Sequence, residues 1–455
     1  MSETLKIFLI ILVYLGVFLV GELVRRIWPE KPEFARKTVH FLGGLAALPF
    51  PYIFSSQWTV LGLTLGFVLL ILWSKKYSRL MAVHGVSRQS FGAIYFPLAI
   101  YLVFLLGQNR PVLYVISILV MTFSDSFAAL LGGKYGSLKY EVEDNIKSLE
   151  GSTVFFFLTF LCVHLPLLLM TGLGRLECIL IALIIALLAT GFEAISLSGF
   201  DNLLVPLGTY YLLAKLVNLN PAALGRQVLL LLVMTLATIL ISRWGKIFKT
   251  SGLIGMTILN YASWSLGGFY WFLPLLMGQM IYACLILIFI HYRGKSELVS
   301  FQIKTLFYTA LLPTLLIFAS NTLNSPEWFY RPYLVSLAAQ IAIISDFFWG
   351  IIIAQNRDFK FTPGPKSLIP ILALSFPLGL IVAFPAFLNQ TWGSGKLFWL
   401  VAVPATVLSY FLFILIFGHS IPPKPDQPRE HKIRLACVLV GLASAFILQI
   451  LFKVA

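Results

Sequence analysis

Runs of about 18–22 apolar residues recur from one end of this chain to the other, the length at which a helix spans a bilayer. That recurrence constrains the fold more than any other feature. In lipid the backbone must satisfy its own hydrogen bonds, so repeated long runs mean packed helices. The alternating ten-residue segments of an outer-membrane barrel are not seen. With 59% hydrophobic and only 11% charged residues in 455, and a mean hydropathy of +0.92, the chain has far more apolar surface than a water-soluble core could hide. The expectation is an all-α, polytopic transmembrane helix bundle of roughly 14–16 spans.

Spans are expected near 4–24, 38–54, 57–73, 92–107, 111–131, 153–171, 176–196, 202–217 and 226–242. Others follow near 252–271, 272–291, 304–321, 333–354, 367–388, 397–417 and 433–452. The first run has neither a basic leading region nor a small-residue cleavage site, and reads as a retained span rather than a signal peptide. With the N-terminus outside and the loops alternating, only Lys6, Arg110, Arg175, Lys215, Arg226, Arg331, Lys396 and Lys453 of the 33 basic residues fall outside. That bias supports the orientation and accounts for the net charge of +15 without nucleic acid. The four cysteines form no CxxC and the histidines no HxxxH pair, which argues against a transition-metal site. No loop is long enough for a soluble domain.

On this map the unusual polar groups gather at the cytosolic boundary. Glu22 ends the first span, Arg36, Lys37 and His40 open the second, and Asp125 lies about two-thirds along the fifth. Lys147 and Glu150 occupy the next loop, Glu193 lies near the inner end of the seventh span, and Asp201 and Asn202 open the eighth. Ionisable groups in a membrane are costly and mark candidate functional sites. Carboxylates beside lysines at one depth suit an anionic ligand carried with a divalent cation, because Mg2+ prefers one or two carboxylates plus phosphates.

The stretch after Asp125 adds detail. "GGKYGS" (132–137) offers backbone that a phosphate can approach, and "IKSLEGST" (146–153) supplies Lys147 as a point charge, Glu150 as a metal ligand and Gly151 for close approach. Ser152 and Thr153 begin the next span, whose N-terminus is a potential anion site. Each residue also has a plain structural reading. Gly132 and Gly136 could pack helices. Ser152 and the Asp201–Asn202 pair could cap helices. Arg36 and Lys37 could anchor a loop, His40 could be a satisfied interface histidine, and Asp125 could pair with a basic side chain. Their joint occurrence at one depth favours a site.

Asp125-xx-Ala128-xxx-Gly132-xxx-Gly136, then Lys147-Ser148-Leu149-Glu150-Gly151-Ser152, then Glu193 and Asp201-Asn202-xxx-Pro206, resemble the integral-membrane CTP-dependent polyprenol kinases. Upstream, Arg36-Lys37-xx-His40 and Phe96-Pro97-Leu98-Ala99 are similar as well. That family comprises phytol, farnesol and dolichol kinases. The resemblance covers roughly 20–215 and is nearest to the phytol kinase branch.

The resemblance implies transfer of the γ-phosphoryl group of CTP to a long-chain isoprenoid alcohol, with Mg2+, at the cytosolic face. It implies catalytic roles for Asp125, His40 and Lys147. Nucleotide contacts would come from Arg36, Lys37, Gly132, Gly136, Lys147, Ser148, Gly151 and Ser152. Metal contacts would come from Asp125, Glu150, Glu193 and Asp201, and substrate contacts from Pro97 and Asn202. The proton acceptor for the alcohol stays open between Asp125 and His40. Two alternatives stand beside the kinase. A phosphatidate cytidylyltransferase would also use CTP, but its Lys-Asp and Pro-Gly-His-Gly-Gly-type signature is absent, and "TPGPKS" (362–367) does not replace it. A lipid transporter or flippase would spread acids through the midplane and show a half-to-half repeat. "IISDFFWG" (343–350) does echo "TFSDSFAA" (122–129), with Tyr261 at the spacing of His40, but without the glycine turn. The expected organisation is a kinase-like domain over 1–245 and a further membrane region over 246–455, including the proline-rich loop at 421–428, whose role and oligomeric state the sequence leaves open.

Overall fold

A computed structural model describes residues 2–77, 79–84, 91–142, 145–196, 198–245, 250–293, 303–355, 377–382, 384, 398–417 and 428–452. The segment 362–367, most of the expected span 367–388 and the proline-rich 421–427 lie outside the described residues. Among the described residues, eight helices are long and apolar enough to cross a membrane, and three shorter apolar helices, Gly92–Gly107, Thr309–Leu323 and Leu400–Ile416, accompany them. The chain is an all-α, integral multi-pass membrane protein, as its hydropathy predicts. Large side chains such as Trp58, Phe8 and Leu169 point outward, where lipid rather than water covers them.

The residues divide into two compact units, Met1–Leu232 and Val233–Ala455. The first contains α1 (Glu3–Ile27), α2 (Pro32–Ala47), α3 (Phe50–Ile53), α4 (Gln57–Lys76), α5 (Met81–His84) and α6 (Gly92–Gly107). Then come α7 (Pro111–Leu119), α8 (Asp125–Tyr135), α9 (Leu149–Met170), α10 (Arg175–Ile195) and α11 (Asp201–Leu216). Helix α12 (Pro221–Gly245) runs across the division.

Local chemistry sets these ends. Ser2 caps α1 by accepting from Leu5 N, with Glu3 in the first turn and Arg25 and Arg26 in the last, matching the helix dipole. The expected span 38–54 is two pieces. Pro32 starts α2 in the first helical turn, and Pro49 and Pro51, which cannot donate to a preceding carbonyl, separate α2 from α3.

Helices α7 and α8 form one continuous rod through a π-helical turn at Val120–Ser124, immediately before Asp125. More than half of that rod's apolar window, 56%, is buried inside protein, against 28% for α1 and 22% for α4. It is the buried centre of this unit, and its own Tyr114, Ile116 and Ile118 are fully buried.

A short antiparallel hairpin, β1 (Lys139–Val142) with β2 (Asn145–Ser148), occupies what the sequence suggested was a plain loop. Its register pairs Lys139 with Ser148 and Tyr140 with Lys147, returning the chain to α8 before α9 begins. Two capping expectations are corrected. Helix α9 starts at Leu149, and its N-cap is Ser148, whose hydroxyl accepts from Gly151 N, so Ser152 lies inside the first turns. Likewise Phe200 occupies the N-cap position of α11 without a side-chain cap, and Asp201 and Asn202 are the first helical residues.

The second unit is built on α13 (Thr250–Gly267), α14 (Phe269–Arg293), α15 (Ile303–Leu323) and the 30-residue α16 (Pro326–Gln355), with helices Val403–Phe417 and Pro428–Leu451. Its core gathers Trp271, Tyr330, Tyr333, Leu334 and Ala338. The Tyr330 and Tyr333 hydroxyls donate to the carbonyls of Tyr270 and Trp271, so the buried phenols are satisfied. Asp346, the echo of Asp125, accepts from the Tyr410 hydroxyl at 2.9 Å.

Candidate functional site

In the first unit, helices α2 and α8 bring charge into the protein interior. Lys37 Nζ on α2 lies 2.6 Å from Asp125 Oδ2 at the start of α8, with Lys37 3% and Asp125 8% exposed. His40, one turn along α2, places Nε2 at 3.3 Å from the same Oδ2 and 3.2 Å from the Met121 carbonyl. Both neighbours of Nε2 are acceptors, so Nε2 carries a proton, and Nδ1 is the ring nitrogen left for another partner. The π-helical turn positions both the Met121 carbonyl and the Asp125 carboxylate, and such turns recur at functional sites. A close crossing holds α2 there. A Cβ on Gly44 would sit 2.0 Å from Thr122 Oγ1, so only glycine lets α2 approach this turn. The Thr159 hydroxyl donates to Ser124 Oγ at 2.9 Å and ties the turn to α9.

The second cluster forms where the hairpin meets the end of α10. Lys147 Nζ lies 2.7 Å from Glu193 Oε1 and also donates to the Glu193 carbonyl. Burial works against the lysine's charge, but Glu193, reinforced by Asp201, outweighs it and holds the amine above the ordinary lysine range. Gly199, at φ +85°, and Ser198, at φ +52°, turn the chain sharply between α10 and α11 and bring Asp201 back toward this pair. Arg36 bonds Glu33 at 2.5 and 3.0 Å. Burial opposes its charge, while Glu33, Asp125 and Asp201 together raise its proton affinity. Asp201 thus acts electrostatically on both clusters, and among the described residues it has no ion pair or hydrogen bond of its own.

Other expected residues have structural partners. Glu150 Oε1 accepts from Ser137 N at 2.9 Å, from Leu138 N at 3.1 Å and from the Ser137 hydroxyl, closing the turn after α8. Ser152 Oγ lies 2.7 Å from the Tyr140 hydroxyl and fastens the hairpin to α9. Gly132, Gly136 and Gly151 are where α8 meets the N-terminus of α9. A Cβ on Gly132 would lie 2.9 Å from Gly151 Cα, and one on Gly136 would lie 2.3 Å from Gly132 O. The space beside these glycines is filled by Ser148 and by each other. Glu22 Oε1 accepts from Ala82 N at 2.8 Å and belongs to the packing of α5.

Among the described residues, no three His, Cys, Asp or Glu side chains converge on a point that could hold a metal. Asp125 and Glu193 are engaged by lysines and Glu150 Oε1 by the Ser137 turn, so of the four carboxylates expected to bind metal Asp201 is the one whose side chain has no hydrogen bond or ion pair among the described residues. One free carboxylate suits Mg2+ that arrives with phosphate ligands of its own.

A cavity of about 420 Å3 opens beside the first cluster, between α1, α2, α4 and α6. His40, Arg36, Lys75, Pro97 and Asn202 line it together with Tyr14, Phe67, Phe96 and other apolar groups. His40 therefore faces both Asp125 and the cavity. Asn202 Oδ1 is buried there without a hydrogen-bond partner. Tyr14, Gly43, Phe50, Thr64 and Lys75 carried no signal in the sequence, because nothing local distinguishes a cavity wall from a helix contact.

Over 203 residues the chain is 32% identical to the phytol kinase of Synechocystis sp., an alignment spanning 43% of this chain and 85% of that relative. The chain belongs to the phytol kinase family. More than half of its length lies outside the alignment, so family membership rests on one part of the chain. No family model matches the sequence. No solved structure matches it either.

Proposed function

We propose that the protein is a CTP-dependent kinase that phosphorylates a long-chain isoprenoid alcohol at the cytosolic face of its membrane. The observation that carries this reading is His40, which links an apolar cavity to a buried Lys37–Asp125 pair. Family membership and the free carboxylate of Asp201 support it.

The alcohol enters with its tail in the cavity and its hydroxyl near His40 and Asn202. Nδ1 of His40 takes the hydroxyl proton, while Asp125 accepts from Nε2–H and favours the imidazolium that forms. The alcohol oxygen bonds to the γ-phosphorus as the bond to the β–γ bridging oxygen breaks, and the nucleoside diphosphate leaves. Phosphoryl transfer needs positioning and charge neutralisation more than covalent help. Arg36, Lys37 and Lys147 supply positive charge for the phosphates, and the N-terminus of α11 adds its dipole. Mg2+, held by Asp201 and the phosphates, would neutralise charge on the departing group. In this assignment Asp125 orients and compensates rather than binds metal, and Gly132, Gly136 and Gly151 shape the helix crossing that supports Lys147.

The test is transfer of label from γ-labelled CTP, with Mg2+, to phytol, farnesol or geranylgeraniol in membranes carrying the protein. Label in the lipid phase supports the reading. Incorporation only from α-labelled CTP, with pyrophosphate released, would replace it with a cytidylyltransferase.

A further inference from the structure

We infer that the cavity between α1, α2, α4 and α6 is the pocket for the acceptor's tail, with Phe50 as its floor and Gly43 as the residue that keeps its passage clear. It rests on the alcohol-kinase reading and adds a chain-length limit to it.

The two ends of the cavity differ in chemistry. Arg36, His40, Lys75 and Asn202 lie at one end, where α2 and α11 begin and α4 finishes. Phe50 lies at the other, past the end of α2, and is 3% exposed. Between them the walls are apolar apart from Thr64. Such a shape takes an amphiphile with one polar terminus. Asn202 is 4% exposed, and its unpartnered Oδ1 is an acceptor suited to a hydroxyl donor. Pro97, which also lines the cavity, has no N–H to give the Ala93 carbonyl, so helix α6 carries a second acceptor at this end.

Length selects among alcohols. Along α4 the lining runs from Lys75 to Leu63, about 18 Å at a helical rise of about 1.5 Å per residue. An extended carbon chain advances roughly 1.3 Å per bond, so this depth holds about 14 bonds. That is the main chain of an isoprenoid alcohol of about fifteen to twenty carbons, by the same estimate. A polyprenol several times longer could not be contained.

The middle of the cavity is gauged by Gly43. A Cβ there would lie 3.4 Å from the Phe96 ring and 3.5 Å from the Tyr14 ring, ordinary contact for a methyl group. Anything larger must project into the passage between the two rings, dividing the polar end from Phe50.

The experiment is photolabelling of the full chain in nanodiscs with a geranylgeraniol analogue carrying a diazirine at its far end, followed by peptide mapping. The expected adducts fall on Phe50, Leu63 and Tyr14, are displaced by excess geranylgeraniol, persist in Gly43→Ala and disappear in Gly43→Leu. Adducts confined to outward positions such as Leu65 and Leu69 would overturn the pocket, as would undiminished Phe50 labelling in Gly43→Leu. Because that variant could misfold, Phe50→Ala gives a second reading. It should raise kcat/KM for an alcohol one isoprene unit longer than geranylgeraniol, relative to geranylgeraniol, on the order of tenfold, the factor that about two newly buried methylene groups supply. An unchanged ratio would count against the floor. Cavity labelling without transfer from CTP would leave the pocket standing and remove the kinase reading, whereas transfer without cavity labelling would do the reverse.

Discussion

Lys37 Nζ and Asp125 Oδ2 lie 2.6 Å apart, buried, on helices whose residues are separated by 88 positions in sequence. A buried pair of this kind stabilises only when complete, because either charge alone would face a low-dielectric interior. Asp125→Asn should therefore cost about 3–5 kcal/mol and abolish phosphorylation. Lys37→Met combined with Asp125→Leu should recover much of the stability and none of the activity. Thermal denaturation in detergent and the labelled-CTP assay measure the two effects separately. Activity in the paired variant would remove both residues from the reaction.

His40 touches the cavity and the ion pair together, so its loss should affect chemistry more than tail binding. His40→Gln is expected to lower kcat by about 10²- to 10⁴-fold, the usual contribution of a positioned proton acceptor. Displacement of the photoactivatable alcohol by geranylgeraniol should change little. A variant that loses binding and keeps its turnover rate would shift the role to substrate holding.

The glycines at the junction of α8 and α9 separate packing from phosphate contact. Gly132→Ala and Gly136→Ala should each lose about 1–3 kcal/mol through overpacking. Gly133→Ala, whose added Cβ meets nothing within 4 Å, should be close to neutral. Activity per folded molecule, determined after size-exclusion, should survive in all three. A selective rise in KM for CTP in the first two would return those glycines to the nucleotide site.

Lys147 connects stability to alkaline pH. Its folded-state proton affinity is raised, so the Glu193 pair contributes fully below the ordinary lysine value of 10.5. The contribution is lost as pH rises beyond that value, through the raised one. Unfolding midpoints measured across that range should fall for the unmodified chain, and Lys147→Met should flatten the alkaline decline while lowering stability at neutral pH. A decline unchanged in the variant would assign the titration elsewhere.

Asp201 is the carboxylate left for a cation. Asp201→Asn should raise the Mg2+ concentration giving half-maximal activity by roughly tenfold or more, a loss typical of disturbed metal coordination. Chelation with EDTA should silence the unmodified chain and Mg2+ should restore it. An unaltered Mg2+ requirement in the variant would point to a metal held by the nucleotide alone.

Helical spans, their approximate ends and the zone of the charged residues were legible in the sequence, because hydropathy and proline placement act over one or two turns. The membrane bundle follows from that alone. Asp125 and His40 stood out because charge in an apolar run is costly wherever the run folds, and Lys147 stood out from the loop motif that carries it. Which charges meet was decided by the tertiary structure. Lys37 reaches Asp125 only because Gly44 lets α2 approach the π-helical turn, and Lys147 reaches Glu193 only because residues 139–148 form a hairpin. The glycine spacing that reads as a phosphate cradle also closes α8 onto α9, and the cavity wall is drawn from seven helices, α1 to α6 and α11. Local pattern sets where a helix begins and which groups are expensive to bury. The partner that offsets each buried group is fixed by contacts between residues distant in sequence, and those exist only once the helices have packed.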